Sequence, residues 1–140
     1  MGVDRQTVAE LLAAVPQQRP FRFIDDILEL DERHVVGMYR FRQDEAFYSG
    51  HFPGNPVTPG VILIETMAQT GVVAFGLYLM KCSGETSAGW LTLFTTADEV
   101  EFSGIVRPGE RVIVRGEKVY FRCGALKCRV RMERENGDTV

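Results

Sequence analysis

The spacing of apolar positions changes repeatedly along the chain, and each change marks the boundary of an element. After Asp4, TVAELLAAV (residues 7–15) carries apolar side chains at helical intervals and runs into Pro16, so it predicts a short amphipathic helix. FRFIDDILELD (residues 21–31) and HVVGMYRFR (residues 34–42) alternate in part and are rich in β-branched and aromatic residues. With the polar DER between them they predict a β-hairpin. His34 opens the second strand with no acid or nucleophile in a recognisable arrangement, which predicts an exposed strand residue. From Gln43 to Gly60 the period is lost among Ser, Gly, Pro and Asn, and the chain should form a long loop, a kind of segment that commonly carries function.

Pro59-Gly60 then leads into a stretch, about residues 61–81, that is apolar on nearly every side. Such a helix is either buried or in a membrane. Glu65, Thr66, Gln69 and Thr70 interrupt it and leave only GVVAFGLYLM unbroken, too short to span a bilayer, so the pattern predicts a buried helix and no membrane partner. After CSGETSAG come three extended candidates, WLTLFTTADEVEF (90–102), ERVIVRGEKVYF (110–121) and ALKCRVRMERE (125–135). In the last, Lys127, Arg129 and Arg131 alternate with Cys128, Val130 and Met132, the period of a half-exposed strand. Asn136-Gly137 is a hairpin turn signal close to the last residue, where a partner strand would be expected. The order of hairpin, long apolar helix and further strands predicts an α+β fold, a curved antiparallel sheet around one central helix.

A length of 140 residues and a mass of 15.7 kDa fit one domain spanning 1–140. The net charge of -3 excludes a generally basic nucleic-acid binder, but residues 104–134 hold nine Lys or Arg against three acids and could face an acidic partner. The N-terminus lacks the basic start and apolar core of a secretory signal, which points to the cytoplasm. Cys82, Cys123 and Cys128 stand at no metal-finger or redox spacing and are expected to be reduced, small buried hydrophobes.

The chemistry concentrates in HFPGNPVTPGVILIETMAQTG, residues 51–71. Burying an unpaired carboxylate costs several kcal/mol, about the worth of a large core substitution, so Glu65 needs a reason beyond packing. His51 can exchange a proton near neutral pH. Glu65 and Gln69, four apart, share one helix face. A carboxyl in apolar surroundings is able to serve as a general acid, so His51 and Glu65 read as base and acid. Gly60 sits at the predicted helix start, where backbone N–H groups lack intrahelical partners and can hold a carbonyl oxygen that gains charge. Gly54, Pro53, Pro56 and Pro59 would fix the loop that aims His51. The same residues also fit a blander arrangement, with His51 closing the helix-entry loop and Glu65 bonded to backbone.

The string HFPGNPVTPGVILIETMAQ resembles the signature of the β-hydroxyacyl-[acyl-carrier-protein] dehydratases of the hot-dog superfamily. A weaker likeness extends through PFRFIDDILEL and ADEVEFSGIVRPGERV. The resemblance implies a hot-dog fold, homodimers or trimers of dimers, and sites at the dimer interface. It implies that His51 takes the α-proton of a (3R)-hydroxyacyl thioester and that Glu65, from the other subunit, protonates the departing hydroxyl in a syn elimination giving a trans-2-enoyl thioester. Gly60 N–H would polarise the carbonyl, Gln69 would place Glu65 or a water, and Phe52 and Pro59 would line the substrate site. A glutamate at position 65 resembles the branch that dehydrates without isomerising. The resemblance implies that no metal or redox cofactor is needed and that an acidic acyl carrier protein delivers the substrate on its phosphopantetheine arm. QQRP before the first strand and LTLFTTADEV after Trp90 depart from the housekeeping pattern, which leaves the acyl chain open between fatty-acid and specialised polyketide, polyene or unusual-lipid synthesis. Rival readings are a hot-dog thioesterase, an enoyl-CoA hydratase, and a non-catalytic acyl-binding subunit.

Overall fold

The computed structural model describes residues 3–85, 93 and 95–140. Helix α1 (Arg5–Ala14) begins two residues before the expected start because Asp4 caps it, accepting from the Gln6 and Thr7 amides, both at 3.3 Å. Its buried Val8 and Leu11 join a core cluster with Ile24, Ile27, Phe75 and Leu79.

Strands β1 (Asp26–Leu30), β2 (His34–Arg40), β3 (Arg111–Arg122) and β4 (Ala125–Arg134) pair antiparallel in that order. The expected hairpin is present, and His34 is exposed at its turn, 3.5 Å from Asp31. Its first strand is shorter than the pattern predicts. Residues 21–25 precede the ladder, and Phe23 and Ile24 are drawn into the core instead. Cys123 and Gly124, both at positive φ, close the β3–β4 turn. Along β4 the basic residues Lys127, Arg129 and Arg131 are exposed while Cys128 and Val130 are half-buried, as the alternation predicts.

The Asn136-Gly137 signal also holds. The chain turns back on β4, Arg134 N–H donating to Asp138 O at 2.8 Å and Val140 N–H to Met132 O at 2.9 Å. Val140 then accepts from Ser103 and Gly104 N–H at 2.7 and 3.2 Å, so residues 103–104 meet the sheet at this edge.

The strand expected over residues 90–102 is not formed in its described part. Residues 93 and 95–102 are irregular, and Glu99, at φ 52, breaks the extended backbone a ladder needs; residues 90–92 and 94 lie outside the described residues.

The long helix runs from Gly60 to Cys82, in three parts: α2 (Gly60–Ala68), a π-helical stretch (Gln69–Ala74) and α3 (Phe75–Cys82). Its length and apolar content would suffice to cross a bilayer, yet half of its most apolar window is already buried within the chain. The π-helical stretch lies against β2, β3 and β4. Close approach explains its small residues. A Cβ on Gly71 would stand 2.8 Å from Val130 Cγ2, one on Gly116 would stand 3.4 Å from Gly71 Cα, and one on Gly37 would stand 2.7 Å from Thr70. Ile62 and Leu63 of α2 pack with Phe23, Tyr39 and Phe41, whereas Val73, Phe75 and Leu79 belong to the α1-side core. One helix wrapped by an antiparallel sheet is the hot-dog arrangement, as expected.

The cysteines differ in part from expectation. Cys82 and Cys123 are exposed and Cys128 is half-buried; burial pushes the Cys128 thiol up to about 12. The basic stretch is also less uniform than its sequence. Arg115 and Arg131 both bond Glu133, Arg111 bonds Glu135 and Arg134 bonds Asp138, while among the described residues Lys118, Lys127 and Arg129 pair with no acid. Arg122 lies over the Tyr120 ring at 4.2 Å.

Candidate functional site

His51 follows a single turn of 3-10 helix (Ala46–Ser49) and opens a tight loop. Phe52 and Asn55 exchange backbone hydrogen bonds of 3.1 and 2.9 Å around Pro53-Gly54, with Gly54 at φ 73, the backbone that glycine supplies at a turn's third position. The peptide bond joining His51 to Phe52 is cis. Val57 N–H donates to His51 O at 2.9 Å, and the Val57 carbonyl accepts from His51 Nδ1 at 2.8 Å. A carbonyl can only accept, so Nδ1 carries a proton, and in the neutral ring Nε2 is the nitrogen with the lone pair. The loop thereby supplies a half-buried imidazole in the tautomer a base requires. Anchorage comes from the buried Tyr48 hydroxyl, 2.7 Å from Thr58 Oγ1, and from Thr58 N–H, which donates to Val106 O at 2.8 Å.

Glu65 is half-buried on the second turn of α2. Gln69, fully buried one turn later, donates from Nε2 to Glu65 Oε2 at 2.8 Å and to Phe21 O at 2.9 Å, while its Oε1 accepts from Phe23 N–H at 2.6 Å. Every donor and acceptor direction but one of the amide is used, so its orientation is fixed. The carboxylate is thus tied through one side chain to the segment before β1, and among the described residues its second oxygen has no hydrogen-bond partner.

Gly60 begins α2, and among the described residues no group accepts from its N–H, as expected at a helix start. Pro59 precedes it, its carbonyl accepting from Ile62 and Leu63 N–H at 2.9 and 3.1 Å. Phe52 is half-exposed and stacks on the imidazole, ring centroids 4.1 Å apart. The structure therefore joins Glu65 to Gln69 and Phe52 to His51. Among the described residues no hydrogen bond joins His51 to Glu65 within the chain. Residue patterns gave no sign of the Val57 carbonyl or the Phe21 and Phe23 backbone, because main-chain groups leave no trace in residue type.

The FabA-like domain matches residues 15–131. This chain belongs to the FabA-like family. FabA-like relatives include the 3-hydroxyacyl-[acyl-carrier-protein] dehydratase FabZ of Caldicellulosiruptor saccharolyticus, 36% identical over 116 residues, covering 82% of this chain and 79% of that protein. The protein of the same name from Acetivibrio thermocellus is 38% identical over 125 residues, covering 89% and 82%. Among solved structures, the dehydratase heterocomplex ApeI:P from Xenorhabdus doucetiae superimposes with a TM-score of 0.74 at 14% identity, covering 93% of this chain and 84% of that one. A hypothetical thioesterase with coenzyme A from Streptococcus pneumoniae superimposes with a TM-score of 0.55 at 16% identity, covering 81% and 76%. At such identities the two structures show a shared fold and nothing about substrate.

Proposed function

We propose that this chain, acting as a single hot-dog domain over residues 1–140, is a (3R)-hydroxyacyl-[acyl-carrier-protein] dehydratase of the FabZ kind, a cytoplasmic lyase of fatty-acid biosynthesis. The relatives over 30% identical that cover most of the chain carry that name, and the site's chemistry agrees with it. The observation that carries the mechanism is the His51 Nδ1 bond to Val57, which leaves Nε2 free to take a proton.

His51 Nε2 removes the α-proton of the thioester as the carbonyl oxygen gains charge against Gly60 N–H. Glu65, protonated on the oxygen that Gln69 does not hold, delivers its proton to the β-hydroxyl. Water leaves and a trans-2-enoyl thioester remains, a redox-neutral elimination that needs no electron acceptor. Following the family resemblance, we place His51 and Glu65 in one site by pairing subunits, so that a homodimer is the working unit and a trimer of dimers is compatible with it; among the described residues the two make separate bonds, to Val57 and to Gln69. Phe52 beside His51 and Pro59 before Gly60 line the entry. Lys118, Lys127 and Arg129, which pair with no acid among the described residues, offer positive charge to an acidic carrier protein.

The test is mass spectrometry of (3R)-hydroxyacyl carrier proteins of graded chain length, incubated with the protein and with His51→Ala. Loss of one water that depends on His51 is the expected result. Free acid released from the thioester, or no change on any chain length by a folded sample, would refute the assignment.

A further inference from the structure

On the reading that this chain dehydrates acyl thioesters, we propose that Phe102 is a specificity-determining residue of the site, walling the start of the long helix and selecting against acyl chains branched at the α-carbon. A Cβ built on Gly60 would stand 3.0 Å from Phe102 Cζ and 3.1 Å from its Cε1, so the ring occupies the space a side chain at position 60 would need. The ring is not there to fill the core, being 54% exposed. It is nonetheless held from both sides. Ser103 and Gly104 N–H bind Val140 O, Val140 N–H binds Met132 O on β4, and Val106 O accepts Thr58 N–H two residues before Gly60. Residues 102–106 thus strap the helix entry to the sheet edge, and Phe102 is the side chain this strap lays on Gly60.

Two consequences follow from a ring in that place. It covers the Cα side of Gly60, whose N–H has no acceptor among the described residues, and a donor shielded from water acts more strongly on a charged oxygen. A carbonyl bound to Gly60 N–H also carries its α-carbon one bond from the carbonyl carbon, beside the ring, so a methyl there meets Phe102 where a hydrogen does not. Removing such a contact in an apolar pocket changes selectivity by about 10–200-fold.

The experiment measures kcat and KM on unbranched and 2-methyl-branched (3R)-hydroxyacyl pantetheine thioesters for the intact protein, Gly60→Ala, Phe102→Ala, Phe102→Leu and the Gly60→Ala/Phe102→Ala pair, with circular dichroism of each. Phe102→Ala should raise the branched-to-unbranched ratio of kcat/KM by about 10-fold or more. Gly60→Ala keeps the N–H but drives a methyl to 3.0 Å from the ring, so it should lower kcat/KM, and removing the ring in the double variant should restore part of that loss. Strictly multiplicative effects of the two changes, or an unmoved ratio in a folded Phe102 variant, would overturn the inference; Phe102→Leu serves if the alanine variant does not fold. Failure of the unmodified protein to turn over either substrate would sink the dehydratase reading itself, and the inference with it.

Discussion

Gln69 Oε1 accepts the Phe23 amide at 2.6 Å across 46 positions of chain, and the same side chain holds the Glu65 carboxylate. The backbone before β1 therefore sets the direction of an acid on the helix.

Gln69→Leu keeps the volume and removes all three hydrogen bonds of the amide, two to backbone and one to Glu65. It should cost about 1–3 kcal/mol for each buried backbone group left unpaired, seen in urea unfolding. It should also lower kcat in the fraction that remains folded, because Glu65 is no longer aimed. A variant with unchanged stability would show that the amide contributes nothing to the fold.

His51→Ala and Glu65→Gln should each reduce kcat/KM by about 10²–10⁴ while leaving the unfolding midpoint close to that of the unmodified protein. Independently of turnover, nitrogen chemical shifts of the neutral imidazole should report the Nδ1–H tautomer. The opposite tautomer in the free protein would contradict the Val57 bond.

Thr70 is 1% exposed, and its hydroxyl has no partner among the described residues. Thr70→Val removes an unpaired polar atom at nearly constant shape and should leave the melting temperature unchanged or raise it. Gly37→Ala, by contrast, drives a methyl to within 2.7 Å of Thr70 and should destabilise by about 1–3 kcal/mol. Equal effects of the two changes in thermal unfolding would refute this packing account.

Burial raises the Cys128 thiol and the Tyr48 phenol to about 12 each, from ordinary values of 9.0 and 10.0. The folded chain thus binds these protons more tightly than the unfolded one. Their contribution to stability is complete below about pH 9 and is lost as the pH climbs from there toward 12. A thiol-reactive dye at pH 8 should label the exposed Cys82 and Cys123 rapidly and Cys128 only on unfolding. Rapid labelling of Cys128 would show that its strand opens.

Periodicity made the hairpin and the β3–β4 pair legible, because each has one face in the core and one in water, and the central helix was legible because it is apolar on nearly every side. The string around His51 made the candidate site legible for a different reason: proton-transfer groups and turn formers are rare together inside apolar sequence. Residues 95–102 misled, since their β-forming composition says nothing about whether a neighbouring edge exists, and Glu99 turns the backbone out of the extended region. The π-helical stretch was silent as well. Its residue types suit an α-helix, and its widening becomes visible only where Gly71 and Thr70 meet Gly116 and Gly37 on the sheet.

That widening also indexes the rod. A π turn takes up one residue more than an α turn, so everything after Ala74 is rotated by about 100° from where an uninterrupted helix would place it. The half bearing Glu65 faces the core around Phe23, Tyr39 and Phe41, and the half bearing Phe75 and Leu79 faces the core that includes α1. The two halves keep phase with different cores only because the spacer between them has its present length. Deleting a single residue there would throw one half out of phase, so the count of residues from Glu65 to Phe75, more than their identity, keys the carboxylate to the sheet.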